Sequence, residues 1–181
     1  MSGIERVARA TTEEREGGDA QELLSLCSLQ AGGKLFGIDT RRIREVLGNA
    51  RLNRVPLAPD YVGGVLAYRG EVLTAVSLRA LLGDGAADCQ SCVLVLDGDE
   101  NDERFGLLVD SVGGVVMVER GTMAANPSTL DEASGALFSG VFRTRQGLLV
   151  QLDPQRLKPS QLADSGLFGS AGEVRVEREM R

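Results

Sequence analysis

The feature that most constrains this chain is that its middle is written twice. The run Gly64-Val65-Leu66-Ala67-Tyr68-Arg69-Gly70-Glu71-Val72-Leu73-Thr74-Ala75-Val76-Ser77-Leu78-Arg79 orders its parts as glycine, apolar stretch, Arg/Gly turn, apolar stretch, polar cap and short helix. Gly140-Val141-Phe142-Arg143-Thr144-Arg145-Gln146-Gly147-Leu148-Leu149-Val150-Gln151-Leu152-Asp153 follows the same order. Upstream of each lies a second matching piece, Leu35-Phe36-Gly37-Ile38 and Arg104-Phe105-Gly106-Leu107. A repeat of this kind predicts two similar small units, about 22–86 and 90–158, each of about five strands. Units so small cannot bury a robust private core, so the two are expected to pack closely and share an interface.

The local signals are those of short strands joined by tight turns. Hairpins are predicted about Gly32-Gly33, Arg69-Gly70, the acidic stretch 97–102 and Arg145-Gln146-Gly147, each flanked by apolar runs. Strand following strand by such turns implies mainly antiparallel sheets. Three short helices are expected. One is capped by Asp39 and runs over 40–46, although Arg41 and Arg42 in its first turn oppose the helix dipole. A second is capped by Ser77, and a third starts at Asp153 with Pro154 in its first position. Residues 1–21 and 159–181 are rich in charge, Ser and Gly and read as tails; the alternation Glu173-Val174-Arg175-Val176-Glu177 could instead add an edge strand.

Composition narrows the function. The 181 residues contain no histidine, which removes the commonest general base and nearly all imidazole metal ligation. A net charge of −6 and 4% aromatic residues oppose nucleic-acid binding and attraction to anionic membranes. Residues 1–10 lack an apolar stretch of signal-peptide length, and no run approaches the roughly 20 apolar residues of a bilayer span. The expected location is the cytoplasm. Three cysteines, Cys27, Cys89 and Cys92, fit reduced thiols there.

Candidate chemical motifs have simpler readings. Cys89-Gln90-Ser91-Cys92 runs straight into an apolar strand rather than opening a helix, and only Cys27 remains as a further soft ligand, so neither a redox pair nor a zinc site is assembled. Gly63-Gly64 and Gly113-Gly114 lack the Lys-Ser/Thr of a phosphate loop and read as turns or close backbone approaches. The acidic stretch after Asp97 places its glycine wrongly for a calcium loop. No metal, no cofactor and no catalytic site are expected, and the chain reads as a binding module. Charges set in apolar stretches, Glu45 and Arg69, either pair across the first unit or remain two separate surface charges.

Four ordered motifs carry a family resemblance. The runs Phe36-Gly37-Ile38-Asp39-Thr40-Arg41-Arg42-Ile43-Arg44-Glu45-Val46, Val55-Pro56-Leu57-Ala58-Pro59-Asp60-Tyr61-Val62-Gly63-Gly64-Val65, Arg69-Gly70-Glu71-Val72 ending in Ser77-Leu78-Arg79, and Phe105-Gly106-Leu107-Leu108-Val109-Asp110-Ser111-Val112 are similar to the CheW family of chemotaxis coupling proteins over about 22–158. The resemblance implies an all-β fold of two five-stranded SH3-like barrels. It implies a non-enzymatic adaptor that bridges the cytoplasmic tip of membrane chemoreceptors, a helical hairpin lying in an apolar groove between the barrels, to the regulatory domain of a CheA-type histidine kinase, docked barrel end to barrel end. The protein would then be cytoplasmic and recruited to receptor arrays. By motif, Ile43, Glu45, Arg69 and Gly70 match the family's functional surface, and Val62, Gly64 and Val65 its adjacent apolar stretch. Ala67-Tyr68 replaces the usual Asn-Leu before Arg-Gly, and Thr74-Ala75-Val76-Ser77 replaces the common Val-Pro-Val-x-Asp pattern. These departures leave open a twitching, gliding or second-messenger pathway, and a stand-alone module for peptides or helices is the rival reading.

Overall fold

A computed structural model of the chain describes residues 22–85, 92–97, 103–125 and 135–168. Ten strands are found there: β1 (Leu23–Ala31), β2 (Lys34–Asp39), β3 (Ile43–Gly48), β4 (Val62–Tyr68), β5 (Glu71–Ser77), β6 (Cys92–Leu96), β7 (Phe105–Val109), β8 (Ser111–Glu119), β9 (Phe138–Thr144) and β10 (Gly147–Leu152). Short α-helices accompany them, among them α1 (Leu78–Leu81) and α2 (Pro159–Ser165). The strands form two five-stranded sheets, ordered β8-β1-β2-β10-β9 (barrel A) and β3-β6-β7-β5-β4 (barrel B). The expected all-β, mainly antiparallel, double-barrel class is therefore observed. Two pairings, β2 with β10 and β5 with β7, are parallel.

The repeat is real, but its two copies do not each make one barrel. Residues 22–86 supply β1–β5 and residues 90–158 supply β6–β10, yet barrel A combines β1 and β2 with β8–β10, and barrel B combines β6 and β7 with β3–β5. The connections explain the exchange. A hairpin needs at least two loop residues with suitable backbone. Only Asp110 separates β7 from β8, so β8 cannot fold back on β7 and runs on to β1 of the other sheet. Between β2 and β3 stands a single 3-10 turn, Thr40–Arg42, without a left-handed residue to reverse the chain, and β3 pairs with β6.

The same turn corrects the helix expected over 40–46. The Asp39 carboxylate accepts the Arg41 amide at 2.9 Å and the Arg41 guanidinium as well, which satisfies one turn and no more. Beyond it, alternation takes over: Ile43, Glu45 and Leu47 are half-buried while Arg44, Val46 and Gly48 are exposed, the period of a strand. Ser77 does cap α1, its hydroxyl accepting the Ala80 amide at 3.3 Å. The helix expected at Asp153 is only a turn, with Leu157 buried at its end. A true helix starts instead at Pro159 and buries Leu162, so the ordered domain extends beyond the expected boundary at 158. Strand β8 was unanticipated because Gly113-Gly114 resembles a turn. Its glycines mark a bulge opposite Ser28, where a side chain at Gly113 would lie 2.5 Å from the Ser28 hydroxyl. The segments 1–21 and 169–181, the acidic tip 98–102 and Cys89 lie outside the described residues.

Three apolar clusters result. The largest lies between the barrels and takes Leu29, Phe36 and Ile38 from barrel A, Leu94, Leu96, Phe105 and Leu107 from barrel B, and Leu157 and Leu162 from the C-terminal segment. Each barrel keeps a smaller interior of its own, around Leu26, Phe142 and Leu149 in A and around Leu66, Leu73 and Val93 in B. This division accounts for the repeated Phe-Gly. Phe36 and Phe105 point to the shared layer, while Gly37 and Gly106 point inward, where a Cβ would lie 3.1 Å from Leu149 and 2.7 Å from Val93 respectively.

Replacing Gly106 by Ala is expected to destabilise the fold by about 1–3 kcal/mol through overpacking, lowering the melting midpoint by roughly 2–4 °C for each kcal/mol. Gly37→Ala should cost less, because it meets the flexible end of a leucine rather than a stiff valine. Equal midpoints for wild type and Gly106→Ala would contradict this packing.

Candidate functional site

The seven residues singled out by motif all fall on barrel B, at or near the seam between its terminal strands β3 and β4. Ile43 opens β3 and Val62 opens β4; both pack, partly buried, against the layer between the barrels. Gly64 and Val65 lie where the seam is closed by one main-chain bridge. Asn53 and Val65 exchange two hydrogen bonds of 2.8 Å. Gly64, at φ +145°, lets that loop approach: a Cβ there would stand 2.7 Å from the Asn53 carbonyl oxygen. The repeat holds here as well, since Ala124 bridges Val141 beside Gly140 in barrel A.

Glu45, Arg69 and Gly70 meet at the end of the barrel. Arg69 and Gly70 form the two-residue β4–β5 turn with φ of 48° and 85°, the pair of positive values a tight hairpin of this type requires. That turn presents the Arg69 guanidinium to the Glu45 carboxylate, Nη2 to Oε2 at 3.0 Å. The two charges therefore pair, and the partner of Arg69 sits on a strand rather than on a helix. The Tyr68 hydroxyl donates to the same Glu45 oxygen at 2.7 Å, and the Arg69 guanidinium lies 5.4 Å from the centroid of the Tyr68 ring. Tyrosine in place of leucine before Arg-Gly thus adds a second hold on Glu45. The Tyr68 hydroxyl, with Arg69, keeps the Glu45 carboxyl below the ordinary carboxylate range, and Glu45 in turn raises the Tyr68 phenol.

The pair belongs to a longer chain of charges that motif reading missed. Asp97 at the end of β6 accepts from Arg44 of β3 at 3.0 Å and from Arg104 before β7 at 2.7 Å. Arg104 also reaches Glu71, at the start of β5, at 2.7 Å. Arg44 adjoins Glu45 and Glu71 adjoins the Arg69-Gly70 turn, so the pairs encircle one end of barrel B across its five strands. Arg104 and then Arg44 hold the Asp97 carboxyl below its ordinary range. Periodicity could not find this ring, because its members come from strand β3 and from two separate hairpins, β4–β5 and β6–β7.

A second surface went unmarked in the sequence. On the outer face of β1 and β8, Leu23, Val115 and Met117 are each more than half exposed. Their neighbours Leu24, Leu26, Val116 and Val118 fill the interior of barrel A instead. Val115 pairs across the ladder with Cys27, a member of the layer between the barrels, so the apolar stripe is continuous with that layer.

The ring has a pH signature. Both Glu45 and Asp97 have folded-state pKa values below the ordinary ones, so their contribution is complete above the unfolded-state pKa and is lost as pH falls through the folded one. Tyr68→Phe should raise the Glu45 titration midpoint, read by NMR of the side-chain carboxyl, towards the ordinary value, with little change at Asp97. An unmoved Glu45 midpoint would contradict the role given to the Tyr68 hydroxyl.

The CheW-like domain family matches residues 25–161, both barrels and the start of α2. A chemotaxis protein CheW of Rhizobium meliloti is 29% identical over 130 residues, covering 71% of this chain and 84% of the relative. One of Treponema pallidum is 25% identical over 144 residues, covering 77% and 85%. Protein PilI of Pseudomonas aeruginosa is 28% identical over 132 residues, covering 73% and 74%. Among solved structures, the scaffolding protein TtCheW of Thermoanaerobacter tengcongensis shares the fold with a TM-score of 0.66 at 18% identity, covering 80% of this chain and 93% of that one. With its repeat, its exchanged strands and this match over most of its length, the chain belongs to the CheW-like domain family.

Proposed function

We propose that this protein is a non-enzymatic coupling adaptor that links the cytoplasmic tip of chemoreceptors to the regulatory domain of a CheA-type histidine kinase. The observation that carries the reading is the family match across residues 25–161, which spans both barrels. Relatives of similar length named as chemotaxis proteins support it. No helix among the described residues is long and apolar enough to cross a membrane. The adaptor would act in the cytoplasm and reach the membrane by binding receptors in their arrays.

Two surfaces suit the two partners. Ile43, Glu45, Val62, Gly64, Val65, Arg69 and Gly70 form one docking surface, with the ion-paired end of barrel B offering a rigid, charge-patterned face to a kinase domain of similar build. The stripe of Leu23, Val115 and Met117 beside the inter-barrel layer offers an apolar face suited to a receptor helical hairpin, because apolar side chains exposed in a row gain most by being covered.

In a reconstituted assembly of receptor, kinase and this protein, Arg69→Glu is expected to lower kinase activation by about ten-fold or more, since like charges then face each other at a docking surface. Its melting curve should stay close to wild type because the pair is exposed. Adding Glu45→Arg should restore much of the activation. Wild-type activation by Arg69→Glu alone would remove this turn from the functional surface. Met117→Asp should weaken receptor capture while leaving kinase binding intact; equal loss of both would contradict the division into two surfaces.

A further inference from the structure

We propose that two copies of this chain pair edge to edge through β8, antiparallel about a two-fold axis at Val116, so that Val115 of each copy faces Met117 of the other. Strand β8 ends its sheet and forms a ladder only with β1 among the described residues. The Arg120 amide donates to the Glu22 carbonyl at 2.9 Å, which makes Glu22 and Arg120 a hydrogen-bonded pair. Alternation then makes Leu24–Val118 and Leu26–Val116 hydrogen-bonded pairs as well, and turns the main-chain groups of Val115, Met117 and Glu119 away from β1. The Glu119 carbonyl accepts the Thr122 hydroxyl at 2.8 Å. The amides and carbonyls of Val115 and Met117 have no partner among the described residues, which leaves two open rungs.

An edge of this kind is ordinarily guarded by a charge, a proline or a covering segment. The other terminal strands have such guards: β3 carries Arg44 and Glu45, β9 carries Arg143, and β4 is met by Asn53. Val115-Val116-Met117-Val118 has neither charge nor proline. The side chains of its two open rungs are also the exposed ones, Val115 at 61% and Met117 at 56%. The Ser25 hydroxyl donates to the Met117 sulfur at 3.1 Å and holds that side chain on the outer face of the sheet.

The symmetry of the strand selects a second copy as the occupant. Open rungs on either side of Val116 match themselves when the strand is turned about that residue, and each cross-pair of Val115 with Met117 exchanges two hydrogen bonds. On the outer face the four apolar side chains then lie together. On the inner face Val116, which packs against the interior of barrel A, meets Val116 of the second copy where the two strands approach most closely. No like charges are brought together: Glu119 comes opposite Gly113, and the two copies of Glu119 stand about 20 Å apart along the strands, beyond the range of screened repulsion. The bulge at Gly113-Gly114 and the Thr122 hydroxyl close the joint at its two ends. A joint this small predicts a weak dimer that forms with concentration rather than an obligate one. Because the dimer covers Val115 and Met117, it excludes a receptor helix from the same stripe; that consequence rests on the function proposed above, and the pairing does not.

Sedimentation of the full chain with a thiol reductant present, and without receptor or kinase, tests the pairing. Wild type is expected to pass from monomer to dimer as its concentration rises, and hydrogen exchange at the Val115 and Met117 amides to slow in step, with the Leu94 and Leu107 amides unchanged. Val115→Lys and Met117→Glu should each weaken the dimer about ten-fold or more, and combining them in one chain should recover most of that loss, because the axis at Val116 brings each introduced cation to an introduced carboxylate. Met117→Pro removes an amide that the β1 ladder does not use and should also abolish the dimer. A wild type that stays monomeric at millimolar concentration would overturn the proposal. Protection at Val115 that does not depend on concentration would overturn it too, by assigning the edge to a segment of the same chain. A dimer indifferent to Met117→Pro places the interface elsewhere, and a combined variant that recovers nothing contradicts the axis at Val116; either result rejects the pairing. If the variants abolish the dimer while receptor capture by wild type is the same at low and high concentration, the pairing stands and only the exclusion of the receptor is refuted.

Discussion

The apolar layer between the barrels is the contact on which the other features depend. Phe36 and Ile38 from one sheet meet Phe105, Leu107, Leu94 and Leu96 from the other, and each of these side chains is at most a few per cent exposed. Strands β6 and β7 are buried on both faces, one towards this layer and one towards their own barrel interior. Neither interior is large, so most of the apolar burial that stabilises the chain is shared. The exchange of strands is the topological form of the same constraint, because every barrel is assembled from both halves of the sequence.

The candidate surfaces inherit their geometry from that arrangement. With β3 given to barrel B and β8 to barrel A, the two terminal strands of each sheet form no ladder with each other among the described residues; the segment after β3 reaches β4 through the bridge Asn53 to Val65, and the segment after β8 reaches β9 through Ala124 to Val141. The seam of barrel B is then held at its far end by side chains alone: Glu45 from β3, Tyr68 and Arg69 from β4 and its turn. Covering the edges of a sheet is ordinarily a matter of avoiding unwanted pairing. Here the incompletely covered edge coincides with the residues that the family motif marks.

Local chemistry was the legible part of the sequence. The hairpins at Gly32-Gly33 and Arg69-Gly70, the Ser77 cap and the paired Phe-Gly motifs could all be read from residue type and spacing, because each depends on neighbours in the chain. What could not be read was which strand pairs with which across the repeat. The hairpin pattern is the same whether β3 joins its own half or the other, and the deciding facts are negative ones, a single residue at Asp110 and no turn residue between Asp39 and Ile43. The same blindness produced a helix at 40–46, where alternation of Ile43, Glu45 and Leu47 outweighs an Asp cap. At the site, Glu45 and Arg69 were visible as charges out of place, whereas Tyr68, Asp97 and Arg104 joined them only through tertiary contacts.

The two halves of the sequence are not the two barrels. Cutting the chain within 86–91 and following each half by circular dichroism and NMR, separately and after mixing, tests this. An exchanged architecture predicts that neither half folds cooperatively alone, since each then holds two strands of one barrel and three of the other, and that mixing restores a single cooperative melting transition. A half that melts cooperatively on its own, with dispersed amide resonances and no gain on adding its complement, would contradict it.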